Sequence, residues 1–211
     1  MDFTHSKYKK LLLSLKNYYP TFSFHDFLSS QNSTTLILRH DVDRLPENAF
    51  KMAKTESELG ITASYYFRAR RGIFKPEIIE QIAAMGHEIG YHYEDLSQTN
   101  GDINKAYESF TENLEDFRKL YPVKTICMHG SPCSKWDSRD IWKKYDYKEL
   151  GIIGETYFDV DYSKVLYITD TGRKWNNASV SVRDKVEARD QKSEVRDQRS
   201  EVRGQRSEDR N

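Results

Sequence analysis

Two cysteines, Cys127 and Cys133, are all that the 211 residues contain. That number is too small for a disulfide framework, and the spacing matches no usual zinc or redox motif, so both read as ordinary packing thiols. No apolar run approaches the roughly 20 residues needed to cross a bilayer. The stretch from Lys9 to Leu15 is too short for the core of a secretion signal and is followed by Lys16. The expectation is a cytoplasmic protein with no membrane span. An excess of charge of one sign is also missing, since Lys plus Arg and Asp plus Glu each number 33. Long-range attraction to nucleic acid or to an anionic membrane therefore has no overall electrostatic basis, and a small or neutral polymeric substrate fits better.

What the chain does contain is an alternation of short apolar runs and helical periods, the pattern of an α/β domain with a mostly parallel sheet. Strands are expected at 35–39, 63–67, 88–91, 125–128, 151–153 and 165–169. Helical spacing predicts segments from Pro46 to Leu59 and from Pro76 to Met85. A third carries Ile103, Ala106, Tyr107, Phe110, Leu114, Phe117 and Tyr121 on one face. Pro46 and Pro76 stand near helix starts, and Gly60 and Gly86 stand where helices would end. Residues 1–33 read as an N-terminal extension with a helix from Ser6 to Tyr19, and 34–186 as the main domain. Residues 187–211 form a charged tail in which Glu-Val-Arg-Asp-Gln-Arg-Ser recurs with a seven-residue period. One apolar residue per heptad gives no coiled-coil seam, and like charges fall four apart, so disorder or a frayed helix is expected there.

In parallel α/β barrels the functional side chains follow the C-terminal ends of strands. There the chain places Asp41 and Asp43 after the first strand, His92 at the end of the third, His129 at the end of the fourth, and Asp170 with Arg173 after the last. Asp41 and Asp43 lie two apart, so an extended backbone points both to one face, toward one ion or one water. The competing structural role is for Asp43 to cap the helix that begins at Pro46. A buried acidic pair needs a compensating cation, and His92 adds an imidazole ligand suited to zinc or another first-row divalent ion. His87, in the turn before its strand, reads as a core histidine. His40 should face away from Asp41, in a packing or supporting role.

The segments Leu38-Arg39-His40-Asp41-Val42-Asp43, Leu59 to Phe67, and Gly86-His87-Glu88-Ile89-Gly90-Tyr91-His92 resemble, in order and spacing, successive motifs of the NodB-type polysaccharide deacetylases. The likeness, of the His-Asp-Val-Asp kind, runs from Thr34 to Val186. It implies an irregular (β/α) barrel that removes N- or O-acetyl groups from an acetylated saccharide with a divalent metal, most suitably zinc. By this resemblance Asp41 is the catalytic base, and Asp43 and His92 are metal ligands. The family's second histidine is expected four positions after the first, where this chain has Leu96. Glu94, Asp95 or His129 are the candidates to replace it, and Asp170 is a further candidate contact. The family's late catalytic-acid histidine has no counterpart, because no histidine follows His129. A closed barrel usually takes around 250 residues and about 186 precede the repeat, so an incomplete, C-terminally truncated barrel is expected. Two readings stay open: a deacetylase, weakened or inactive through these departures, and a non-catalytic relative that binds a carbohydrate or a partner.

Overall fold

Helical spacing and proline placement set the architecture. The computed structural model describes residues 4–30, 34–130 and 134–169, within which Pro46 and Pro76 each occupy the first turn of a helix. The order is α1 (His5–Leu15), β1 (Thr21–Phe22), α2 (Phe24–Ser29), β2 (Leu36–Ile37), β3 (Arg39–Val42), α3 (Pro46–Glu58) and β4 (Ser64–Phe67). There follow α4 (Pro76–Ala84), β5 (Glu88–Tyr93), α5 (Asp95–Gln98), α6 (Ile103–Arg118) and β6 (Thr125–Met128). Two 3₁₀ turns (Ser138–Lys143 and Tyr147–Leu150) then lead into β7 (Gly154–Glu155). None of the described helices is long and apolar enough to cross a membrane.

Strands β3 to β7 form one parallel sheet in chain order, and β1 and β2 form a separate parallel pair. The run expected as a single strand at 35–39 is thus divided. Leu36 and Ile37 pair with Thr21 and Phe22, whereas Arg39 to Val42 pair with Ser64 to Phe67. Asp41 therefore lies within a strand, not after one, and Asp43 is the first residue beyond it. The strand expected at 151–153 starts later, at Gly154. Gly151 adopts φ +70° and closes the preceding 3₁₀ turn, a left-handed position that glycine takes without strain. Helix α1 stops at Leu15, short of Tyr19.

Alternation along the strands divides the side chains between two faces. The outer face packs on helices: Tyr91 lies 5.2 Å from Phe110 and 5.1 Å from Phe117 of α6, ring centre to ring centre, and all three are buried. The inner face carries Asp41, Tyr66, Gly90, His92 and Cys127, with Phe24 of α2 packed on Tyr66 and Cys127. Gly90 is required there, because a Cβ would overlap the Tyr66 ring and approach the Thr125 carbonyl oxygen to 2.9 Å. The closed barrel is not seen among the described residues, where β3 and β7 are both edges. The edges nonetheless come together through side chains: Arg39 on β3 donates to the Tyr157 hydroxyl just beyond β7 at 3.3 Å.

Contacts divide the chain into a unit of residues 1–160 and a second of 161–211. Within the second, residues 161–169 are described. They contain an Asp161–Lys164 ion pair at 2.8 Å, and the strand expected at 165–169 is absent from them. Asp170, Arg173, Cys133 and the heptad tail lie outside the described residues.

Candidate metal centre

The parallel register brings three strand ends to one point. Asp43 leaves β3 just after Val42, His92 is the fifth residue of β5, and His129 follows Met128 at the end of β6. The β5–β6 register sets His92 beside Cys127, and the His129 N–H donates to the Tyr93 carbonyl at 2.8 Å, so both imidazoles are fixed by backbone. Asp43 Oδ1 then lies 3.0 Å from His129 Nδ1 and 3.5 Å from His92 Nε2, and the two imidazole nitrogens are 3.1 Å apart. Atoms sharing one ion at about 2.0–2.2 Å sit about 3.0–3.5 Å from one another, which is the spacing of this triangle.

The hydrogen bonds say what the triangle wants. His92 Nδ1 donates to the Cys127 carbonyl at 2.8 Å, which in the neutral ring leaves a lone pair on Nε2 facing Asp43 and His129. Asp43 Oδ1 is buried and accepts no hydrogen bond of acceptable geometry. His129 Nδ1 donates or accepts according to its tautomer, so either a proton on the imidazoles or a cation shared by all three atoms can fill the space between them. The electrostatics agree. Burial alone would raise the Asp43 carboxyl, yet His129 and His92 hold it far below the carboxylate range. Burial alone would lower His92, but the charge of Asp41, the Cys127 contacts and Asp43 lift it well above its ordinary value. The cluster favours positive charge, and its donor set of two imidazoles and a carboxylate suits a divalent metal.

Asp41 borders this triangle without belonging to it. One oxygen accepts from Arg39 Nη2 at 3.2 Å and the other faces the Cys127 thiol at 3.7 Å. A second group of ligating atoms, from Asp41, His92 and Cys127, lies within 4.8 Å of one another. Asp43 does not cap α3, whose first turn receives no side-chain cap. The remaining expected residues have other partners. Glu94 accepts a bidentate pair from Arg68, Nε at 2.9 Å and Nη2 at 2.6 Å, and the same guanidinium donates to the Asp43 carbonyl at 3.4 Å, which anchors the loop after β3. Asp95 is fully buried and accepts from Tyr91, Ser109 and Asn113, tying α5 to α6. Leu96 packs with Ala106 and Ile141. Arg39 and Cys127 are the neighbours that motif reading passed over. The alternation that puts Asp41 on the inner face puts Arg39 there too, and the β5–β6 register was needed to find Cys127.

No family model matches the chain, and neither does any curated protein. Among solved structures the chain is similar to a family 4 carbohydrate esterase from Bacillus anthracis. The two share 19% identity at a TM-score of 0.44, covering 57% of this chain and 58% of that one. The chain thus spans less than two thirds of the length of that protein.

Proposed function

We propose that the protein is a metal-dependent hydrolase that removes acetyl groups from a carbohydrate, with Asp43, His92 and His129 holding a divalent ion and Asp41 as the base. The observation that carries the metal is the convergence of Asp43 Oδ1, His92 Nε2 and His129 Nδ1, with the buried carboxylate oxygen left without a hydrogen-bond donor. The His-Asp-Val-Asp and Gly-His-Glu-Ile-Gly-Tyr-His motifs carry the choice of substrate. His129, from the neighbouring strand end, takes the place that Leu96 leaves empty in the motif. Two nitrogens and one oxygen suit zinc, and manganese, cobalt and nickel remain acceptable to the same set.

When bound, such an ion polarises the acetyl carbonyl and lowers the pKa of water. The residues of the chain do the rest. Asp41 takes the proton of the attacking water, and Arg39 fixes the orientation of its carboxylate from the side away from Cys127. Asp41 then returns that proton to the departing sugar oxygen or nitrogen, so a single carboxylate serves as base and acid. Enzymes with a dedicated acid gain about 10²- to 10⁴-fold from it, so slow turnover is expected here.

Metal content per folded chain, with acetate release from acetylated oligosaccharides, tests this reading in the wild type, Asp43→Asn and Asp41→Asn. Stoichiometric metal should be lost in Asp43→Asn and kept in Asp41→Asn, with acetate release abolished in both. A folded wild-type protein that takes up no metal would overturn the reading and favour the non-catalytic relative.

A further inference from the structure

His92 serves the triangle with Asp43 and His129, yet the same imidazole borders Asp41 and Cys127. These three offer ligating atoms within 4.8 Å of one another, and the thiol sulfur lies 3.7 Å from Asp41 Oδ1. An oxygen at about 2.1 Å and a sulfur at about 2.3 Å from one zinc-sized ion are about 3.6 Å apart, and a larger soft ion widens that distance. Arg39 already partners the other oxygen of Asp41, so its charge offsets that of the carboxylate. A cation entering between Asp41 and Cys127 must therefore draw its binding from the sulfur, which selects for softness over charge. Cys127 and His92 are both buried, and the site is bordered by the partly exposed Asp41.

We infer that the pocket holds a second, overlapping cation site, formed by Asp41, His92 and Cys127, which takes thiophilic ions such as cadmium or copper(I) and switches the hydrolytic site off when filled. Binding forms a sulfur–metal bond and releases the thiol proton to solvent, with no change of oxidation state. The two sites exclude one another because His92 belongs to both, and filling the second also removes Asp41 as a base. The inhibitory consequence rests on the hydrolase reading above; the binding does not.

Cadmium titrated into the metal-free full chain tests the site through the ultraviolet absorption of sulfur-to-metal charge transfer. A stoichiometric band is expected in the wild type. It should persist in Cys133→Ser and in Asp43→Asn, which removes the first site alone, and vanish in Cys127→Ser. Cadmium should also abolish zinc-supported acetate release in Cys133→Ser. If Cys127→Ser fails to fold, cadmium NMR of Cys133→Ser decides instead, since a thiolate ligand shifts the resonance far from that of nitrogen and oxygen ligands. Zinc binding with no thiolate signal would overturn the second site and leave the hydrolase reading intact. A thiolate signal in a protein that binds no zinc at Asp43 would do the reverse.

Discussion

Strand β3 and its exit build two histidine–carboxylate clusters from the same kinds of residue, and the two are in opposite states. On the outer face His40 meets Glu56 of α3 at 2.8 Å, Tyr65 donates to the same carboxylate at 2.7 Å, and Tyr8 of α1 donates to it as well. Glu56 is fully buried, and each of its oxygens has a donor. Nearby His87 is equally provided for, accepting from the Ala63 N–H at 3.2 Å and donating to the Ala53 carbonyl at 2.9 Å. Three residues along from His40, Asp43 faces two imidazoles, yet its buried oxygen accepts nothing. A satisfied cluster holds a structure together, whereas a buried carboxylate oxygen without a donor calls for a functional or solvent partner. Counting donors separates the two where residue type cannot.

The two clusters should differ most in stability at Glu56. Glu56→Ala strands the buried Tyr65 hydroxyl and His40 without their acceptor and releases the link to α1. A loss of about 3–5 kcal/mol is expected from urea unfolding. Asp43→Ala in the metal-free protein should cost less than Glu56→Ala, because the Asp43 side chain is half exposed and loses only its attraction to His92 and His129. Equal losses from the two substitutions would mean that Asp43 is a structural residue after all.

Acid sharpens the same contrast. Burial alone would raise the Glu56 carboxyl, but the His40 charge and the hydrogen bonds from His40, Tyr8 and Tyr65 outweigh it and hold the group at about 2, against an ordinary 4.5. A carboxyl depressed by folding stabilises above its unfolded pKa and loses that contribution as pH falls through the folded one. Roughly 3 kcal/mol should therefore be present above pH about 4.5 and disappear as the pH falls toward about 2. The stability difference between the wild type and Glu56→Gln, measured across that window, should shrink with acid. A difference independent of pH would show that the Glu56 charge is not what the network holds.

The sequence made α3, α4 and α6 legible because each carries its own punctuation: Pro46 and Pro76 open two of them, and the three-and-four spacing of Phe110, Leu114 and Phe117 marks the third; α2 and α5, too short to show a period, were not expected. Strand β6 was legible as a short apolar run following the amphipathic helix. Where reading failed, the deciding information was long-range. Nothing within Thr35 to Arg39 says that Leu36 belongs with Thr21 and Arg39 with Ser64. At the site, Asp41, Asp43 and His92 stood out by spacing, and His129 stood out as a strand-end histidine. That Arg68 engages Glu94 and that Ser109 and Asn113 engage Asp95 was not legible. Those partners lie 14 to 26 residues away from the carboxylates they occupy, beyond the reach of any local motif.

The finest test of the two clusters uses the metal as its probe. An ion that binds only the folded protein stabilises it by about 2.7 kcal/mol at a hundredfold excess over its dissociation constant, whatever else holds the fold together. Zinc should accordingly raise the urea midpoint of the wild type, and chelation should reverse the shift. His129→Ala should lose most of it, because the triangle is left with one imidazole and one carboxylate. A destabilised but folded Tyr8→Phe, which removes one donor from Glu56 and shares no partner with Asp43, should keep the full increment on a lower baseline, since unconnected sites add. Retention of the zinc shift in His129→Ala would take His129 out of the ligand set. Loss of the shift in Tyr8→Phe would show that the two clusters on β3 are coupled through the strand they share.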